Sequence, residues 1–337
     1  MRITILAYLD REDVRSFDLV VGQVAAALRQ GGHQVSILGV HGDVRKLISG
    51  LHRRRPDLVF NLMEMFGKNL LGAIGVVGLL DLLGVPYTGG GPGEFYLQED
   101  KVLSKKLLAF DHIRYPDFAV FTQDAALETG GQLRMPLFVK PLRMDASIGI
   151  DSNSLVRSSV EMMQRVLEIQ SKVHDAALVE EYIPGREFYV GVIGNTEPVA
   201  FPPIEMDFSG LPNGAPHVLG AKAKWAEKSP EYRGTTAKVA DVPDEVRARL
   251  QKVAVEAYRA LRVRDYGRVD LRMTEDGEVY VLEVNASCYL EEDGEFASAA
   301  LAGGVDYKAL INRIVELAGE RQQPRRPRPA KKLSMAQ

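Results

Sequence analysis

With a single cysteine, Cys288, in 337 residues, the chain has no basis for an intramolecular disulfide framework or for a metal site built on several thiolates. No apolar run reaches the ~18 residues of a membrane span. The opening MRITILAYLDRED lacks the length and flanks of a secretory signal, so a cytoplasmic location is expected. The phosphate-cradling pattern G-x-x-x-x-G-K-[ST] does not occur, and no G-x-G-x-x-G opens a helix after the first strand-like run. P-loop and dinucleotide-binding folds are therefore disfavoured. His33, His41, His52, His112, His174 and His217 show no H-E-x-x-H spacing, which sets a zinc role aside. Basic clusters interleaved with aromatic residues are also missing, so nucleic acid is not an expected ligand.

What is present is an ordinary soluble composition, 46% hydrophobic and 26% charged, over a length that suggests two or three domains. The formal net charge of -3 hides an asymmetry, because RQQPRRPRPAKKLSMAQ at 321–337 holds six Lys or Arg and no acid. This segment reads as a basic, Pro-rich, disordered or solvated tail, with binding to an acidic partner as the other reading. The remaining body is acidic.

Along the chain, RITILAYL reads as a strand and FDLVVGQVAAALRQ as a helix stopped by Gly31-Gly32. HQVSILGV completes a β-α-β start. DLVFNLM (57–63) and a buried helix at 73–84 follow, and the turn-rich VPYTGGGPGE is expected to close a first unit near residue 97. A β-α-β-type segment comes next: LFVKPL (137–142), SSVEMMQRVLEIQ (158–170) and AALVEEYI (176–183). EFYVGVIG and PVAFPPIEM read as two further strands, and EVRARLQKVAVEAYRALR (245–262) as a helix. YGRVDLRMT and EVYVLEVNAS, joined by Glu275-Asp276-Gly277-Glu278, carry a strong hairpin signal.

Three stretches carry chemistry. VYVLEVNAS (279–287) is an apolar run holding Glu283 and Asn285 two residues apart. Alternation puts both on one face and Leu282 and Val284 on the other. An unpaired buried carboxylate is costly, so a positive group is expected against that face. Arg268 and Asp270 also share a face, and hairpin pairing would bring Asp270 beside Glu283 and Asn285. Two carboxylates and an amide oxygen suit Mg²⁺, which binds phosphate oxygens as well. Ion pairing of Asp270 and Glu283 with Arg268 and Arg272 is the other reading.

In FVKPLRMDASIGI, Lys140 lies within an apolar strand, and the small residues from Asp145 to Gly149 form a loop able to bring N–H groups to phosphate. A lysine at a surface edge followed by a plain turn would read the same way. In ALVEEYIPGREF, Glu180 and Glu181 end a strand before Pro184-Gly185 and Glu187. This is either a hinge that pairs with a purine edge, with Glu187 on ribose hydroxyls, or a strand ending in a turn.

Taken in order, FNLMEMFG, LLGVPYTGGGP, the Asp-Lys of EDKVLSKKLL, FVKPLRMDASIGI, LVEEYIPGREF, GRVDLR and LEVNAS resemble the ATP-grasp enzymes, specifically the D-alanine–D-alanine ligase group, over about residues 1 to 318. The resemblance implies an α/β fold of three domains: an N-terminal Rossmann-like domain (1–97), a small central lobe (98–183) and a larger C-terminal lobe with an antiparallel sheet (184–320), followed by the tail (321–337). It implies ATP between the two lobes, with Lys101 and Lys140 on its phosphates and Ser147 on the lid. Glu180, Glu181, Tyr182, Ile183 and Leu282 would lie around adenine, and Glu187 on the ribose. Asp270, Glu283 and Asn285 would hold two Mg²⁺, for which Mn²⁺ could substitute. Arg268 and a loop lysine matching Lys224 would be catalytic. The implied activity is ligation of a carboxylate to an amine through an acyl phosphate, on small amino-acid or peptide substrates, in a homodimer.

The substrate positions depart from the pattern. Ala146 replaces the first of two lid serines, Trp225 replaces a tyrosine after Lys224, and ASCYLEEDGEFASAA replaces a Pro-Gly and Ser-Leu run. Tyr289, Glu291, Glu292 and Asp293 are thus expected on the acceptor side, where they would favour an amine-rich acceptor over plain D-alanine unless the acids form a solvated loop. The family's acid after the first strand is also displaced, with Glu12 the best candidate for a substrate ammonium. An ATP-grasp kinase that does not ligate, and a catalytically silent nucleotide-binding module, are the alternatives.

Overall fold

The computed structural model describes residues 1–321 apart from 14–15, 70, 123–126, 145–147, 212–216, 221–222, 224–225 and 227. It opens with β1 (Arg2–Tyr8), α1 (Leu19–Gln30), β2 (Gln34–Val40), α2 (Val44–Arg54), β3 (Leu58–Leu62) and α3 (Gly72–Leu82). The strands form a parallel sheet in the order β2-β1-β3. β1 is buried over Ile3–Ala7 without alternation, as expected of a parallel strand covered on both faces. Asp18 starts α1 by accepting the Val20 N–H at 2.9 Å.

α4 (Pro92–Glu99) and α5 (Lys101–Phe110) follow. The turn-rich stretch thus leads directly into a helix. Pro92 sits at the first helical position, where its missing N–H costs nothing, and α4 runs on to Glu99. Asp100 then starts α5 by accepting the Leu103 N–H at 3.0 Å.

A second sheet comprises β4 (Phe118–Phe121), β5 (Leu127–Gly130), β6 (Leu137–Pro141), β7 (Leu155–Val156) and β8 (Ala177–Glu181) in the order β5-β4-β8-β6-β7, with α6 (Ser159–Glu168) between β7 and β8. The expected β-α-β-type segment is corrected here: β6 and β8 pair antiparallel, not parallel. β7 intervenes, so the chain does not make a simple crossover.

The third sheet holds β9 (Arg186–Ile193), β10 (Val199–Ala200), β11 (Ile204–Asp207), β12 (Thr236–Val239), β13 (Tyr266–Met273) and β14 (Val279–Asn285) in the order β12-β11-β9-β13-β14, with β10 beside β9. PVAFPPIEM is two strands rather than one, because Pro202 and Pro203 offer no N–H to a ladder. α7 (Asp244–Ala260) covers one face with Leu250, Ala254, Ala257 and Tyr258. α8 (Glu295–Ala302) covers the other, and α9 (Tyr307–Glu320) returns to pack on α1. Phe296, Ile311 and Ile314 share one core with Ile3, Ile5 and Leu28, so the chain's last helices seal its first sheet.

The β13–β14 hairpin forms as expected, with Gly277 at φ +84 and Thr274 N–H donating to Glu278 O at 3.0 Å. Its register places Arg268 opposite Asn285 and Asp270 opposite Glu283, then slips so that Leu271 faces Val281. Leu282 is the inserted residue of a bulge. The expected alternation fails at that point: Val281 and Val284 are buried, while Leu282 and Glu283 both line the cleft.

Arg321, assigned from sequence to the tail, belongs to the body. Its guanidinium donates to both oxygens of the fully buried Asp265, at 2.8 and 2.7 Å, and to Tyr87 O at 2.7 Å. No helix among the described residues is long and apolar enough to cross a membrane.

Candidate active site

A cleft between the second and third sheets is lined by Lys140, Glu180, Glu181, Tyr182, Ile183, Glu187, Tyr189, Asp270, Arg272, Leu282 and Glu283, among others. Eight of the nine sequence-predicted residues in that group arrive from β6, from β8 and the turn after it, and from the β13–β14 hairpin, and Glu187 arrives from β9 itself. The turn depends on Gly185, whose φ is +130 and whose added Cβ would lie 2.1 Å from Met273 O.

Much of the charge in the cleft is paired. Glu180 is buried between Lys105 Nζ and Lys140 Nζ, each 2.7 Å from one of its oxygens. Burial opposes its charge, but the two ammonium groups outweigh that cost and hold the carboxyl down at about 2. Lys101, 6% exposed, donates to Met144 O at 3.1 Å and lies 3.6 Å from Glu283. Arg268 grips Asp270 with two bonds of 2.7 and 2.9 Å and stacks over Tyr189 at 4.3 Å. Asn285 Nδ2 donates to Asp270 at 3.3 Å.

Arg272, named in the ion-pair reading of the hairpin, pairs with Glu187. Its Nε and Nη2 donate to Glu187 at 3.1 and 2.9 Å, its Nη1 donates to Ile183 O at 2.9 Å, and it contacts His217 O and the Tyr182 ring. It braces the turn that carries the hinge residues. The place of Lys105 beside Glu180 and the contact of Arg272 with Glu187 are what sequence reasoning missed. The signal for Lys105 was its place one helical turn after Lys101, and for Arg272 its strand spacing from Arg268 and Asp270.

A second cavity of about 420 Å³ lies at the C-terminal ends of β1 and β3, roofed by the start of α1 and the segment after β14. Asp10, Asp18, Asn61, Glu64, Tyr266, Ser287, Cys288 and Tyr289 line it, and the described lining holds no Lys, Arg or His. Tyr289 lines it and donates to Asp18 at 2.6 Å. Glu12 does not line it. It accepts the His41 and Gly42 N–H groups and Lys46 Nζ, the last at 2.6 Å, because the β2–α2 loop offers it two donors and α2 a third. Glu291, Glu292 and Asp293 do not line the cavity either, since Leu290 turns inward and the chain leaves along α1, with Glu292 N–H on Gln23. Burial pushes the Cys288 thiol up to about 12, which leaves it a wall and not a nucleophile. Ser147, Lys224 and Trp225 lie outside the described residues.

Among the described residues no three His, Cys, Asp or Glu side chains gather around one point. Asp270 and Glu283, directly opposed, with Asn285 beside them, still offer hard oxygen donors on one face. That set fits Mg²⁺, which takes few protein ligands and completes its shell with water and phosphate.

The family model described as D-ala D-ala ligase C-terminus matches residues 106–316. A D-alanine–D-alanine ligase of Desulforudis audaxviator is 31% identical over 304 residues, covering 88% of this chain and 92% of that one. An uncharacterized protein, y4sG, of Sinorhizobium fredii is 33% identical over 310 residues, covering 90% and 88%. The crystal structure of a Bacillus anthracis D-alanine–D-alanine ligase complexed with ATP superposes with a TM-score of 0.71 at 22% identity, over 95% of this chain and 98% of that one.

Fold and relatives define the class: this is an ATP-grasp protein with mixed α/β architecture and several antiparallel sheet pairings. Within that class the chain belongs to the D-alanine–D-alanine ligase-like family, whose members are ATP-dependent ligases forming C–N bonds.

Proposed function

We propose that the protein joins two amino-acid-type substrates, carboxylate to amine, by way of an acyl phosphate, and that its acceptor is not plain D-alanine. The observation that carries the reading is the β13–β14 hairpin, which sets Arg268, Asp270, Glu283 and Asn285 side by side between the hinge cleft and a cavity with room for an amino acid. ATP lies in the cleft, with adenine by Glu180, Glu181, Tyr182, Ile183 and Leu282, ribose by Glu187, and phosphates by Lys101 and Lys140. Asp270, Glu283 and Asn285 would hold Mg²⁺, which when bound neutralises phosphate charge.

A carboxylate oxygen of the donor attacks the γ-phosphorus as the bond to ADP breaks. The amine nitrogen then attacks the acyl carbon, phosphate leaves with the electrons of the C–O bond, and the amine gives up a proton. Arg268, pre-aimed by Asp270 and the Tyr189 ring, donates to the oxyanion as it develops. Asp10 and Glu64 are better placed than Glu12 to meet an ammonium group. The acidic lining, with no cation among its described residues, disfavours an acceptor bearing a free carboxylate there. Leu82 and Leu83, exposed at the end of α3, support a homodimer through that face. ADP release measured with Mg-ATP across single and paired L- and D-amino acids and amines, with mass spectrometry of products, tests the reading. A condensed product is expected only with an amine present. A condensed product with D-alanine as the preferred acceptor would refute the acceptor assignment.

A further inference from the structure

Among the described residues, Lys105 is the most deeply buried cation next to the cleft, with its side chain 2% exposed on α5, one turn after Lys101. An ammonium at that depth costs several kcal/mol unless its environment uses the charge. It does not line the cleft, whereas Glu180 and Lys140 do. Its Nζ sits 2.7 Å from Glu180 Oε1, Lys140 Nζ sits 2.7 Å from Glu180 Oε2, and the Tyr115 ring lies 5.5 Å from the Lys105 ammonium. Two ammonium groups thus share one carboxylate, and the trio carries one surplus positive charge. Only Lys140 can present that charge to the cleft.

Resting on the nucleotide site proposed above, we infer that Lys105 is a positioning residue: it serves as the standing counter-ion of Glu180, so that the charge of Lys140 stays available to the phosphate chain of the nucleotide. Without Lys105, Lys140 becomes the only ion-pair partner of a buried carboxylate among the described residues, and its charge is spent inside the protein. The role differs from packing, because it depends on the charge of Glu180 and vanishes when that charge is removed.

The test uses calorimetric binding of Mg-ATP and of inorganic tripolyphosphate, a probe with phosphates but no adenine, to the full chain. Lys105→Met should weaken tripolyphosphate binding by about tenfold or more, the scale at which losing one close charge partner is felt. Lys105→Met combined with Glu180→Gln should return it to within a few-fold of wild type, since a neutral amide needs no counter-ion. Glu180→Gln alone keeps both lysines and should bind tripolyphosphate at least as tightly as wild type, an arm that stands even where Lys105→Met fails to fold. Unchanged tripolyphosphate binding in Lys105→Met, a double variant that binds tripolyphosphate as weakly as the single one, or weakened tripolyphosphate binding in Glu180→Gln would overturn the inference. Failure of the wild-type protein to bind Mg-ATP would overturn the nucleotide site with it, so the two failures are distinguishable.

Discussion

Replacing Arg272 by methionine keeps an unbranched chain of similar reach and removes one charge. In the structure that charge is 4% exposed and holds Glu187 through two hydrogen bonds and Ile183 O through a third. After the change Glu187, itself buried, keeps the Tyr189 hydroxyl at 3.2 Å as its one hydrogen-bond partner among the described residues. Removing one member of a buried pair typically costs about 3–5 kcal/mol, whereas removing both is close to neutral. Arg272→Met should therefore destabilise the protein by about 3–5 kcal/mol, and Arg272→Met with Glu187→Gln should recover most of it. Urea denaturation of the four proteins of the cycle, compared at a common m-value, measures this. The hinge backbone at Ile183 loses its brace as well, so Mg-ATP should bind more weakly to the single variant. A cost under about 1 kcal/mol, the range of an exposed pair, would refute the reasoning. So would a double variant no more stable than the single.

Gly185→Ala places a Cβ against Met273 O at a φ of +130, and strain of that kind costs about 1–3 kcal/mol before the clash is counted. A lowered melting temperature with weakened ATP binding should result, and an unchanged protein would mean the turn is built differently. Asp265→Ala leaves the Gly89 N–H and the Arg321 guanidinium without their shared acceptor, so thermal unfolding should shift down by several degrees. Truncation before Arg321 should give a similar loss, and no shift in either protein would contradict the clasp. Cys288, 7% exposed with its thiol near 12, should resist alkylation at pH 8 and label fully only in denaturant. Stoichiometric labelling of the native protein within minutes would show that the cavity wall opens. Arg268→Ala should lower turnover by about 100-fold or more while Mg-ATP still binds, and turnover within tenfold of wild type would remove Arg268 from the chemistry.

The site was legible where chemistry coincided with a regular element. The hairpin follows from two alternating runs around Asp276-Gly277, and its pairing of Asp270 with Glu283 follows from the hairpin. Leu282 broke that reading because alternation assumes one residue per step, and a bulge is set by how β14 meets its neighbours. Lys105 went unread as a functional residue because a lysine in a helix is normally solvated; only the tertiary approach of Glu180 on β8 explains its burial. Glu12 lies close to the first strand in sequence, but its contacts are decided by His41, Gly42 and Lys46, distant in sequence. The tail boundary erred by one residue because Arg321 belongs by composition to the basic run and by contact to Asp265. Local pattern placed the strands that carry the chemistry. Non-local contacts decided which polar groups face one another.

The central claim is that a carboxylate is activated by phosphoryl transfer and then captured by an amine. Once a reactive substrate pair is found, the donor is prepared with its carboxylate labelled with ¹⁸O and turned over with unlabelled Mg-ATP, and the released phosphate is examined by mass spectrometry. One labelled oxygen should pass from the carboxylate to phosphate in each turnover, and none should reach ADP. Unlabelled phosphate, or a stable phosphorylated product formed without any amine, would contradict ligation and point to phosphoryl transfer as the end of the reaction.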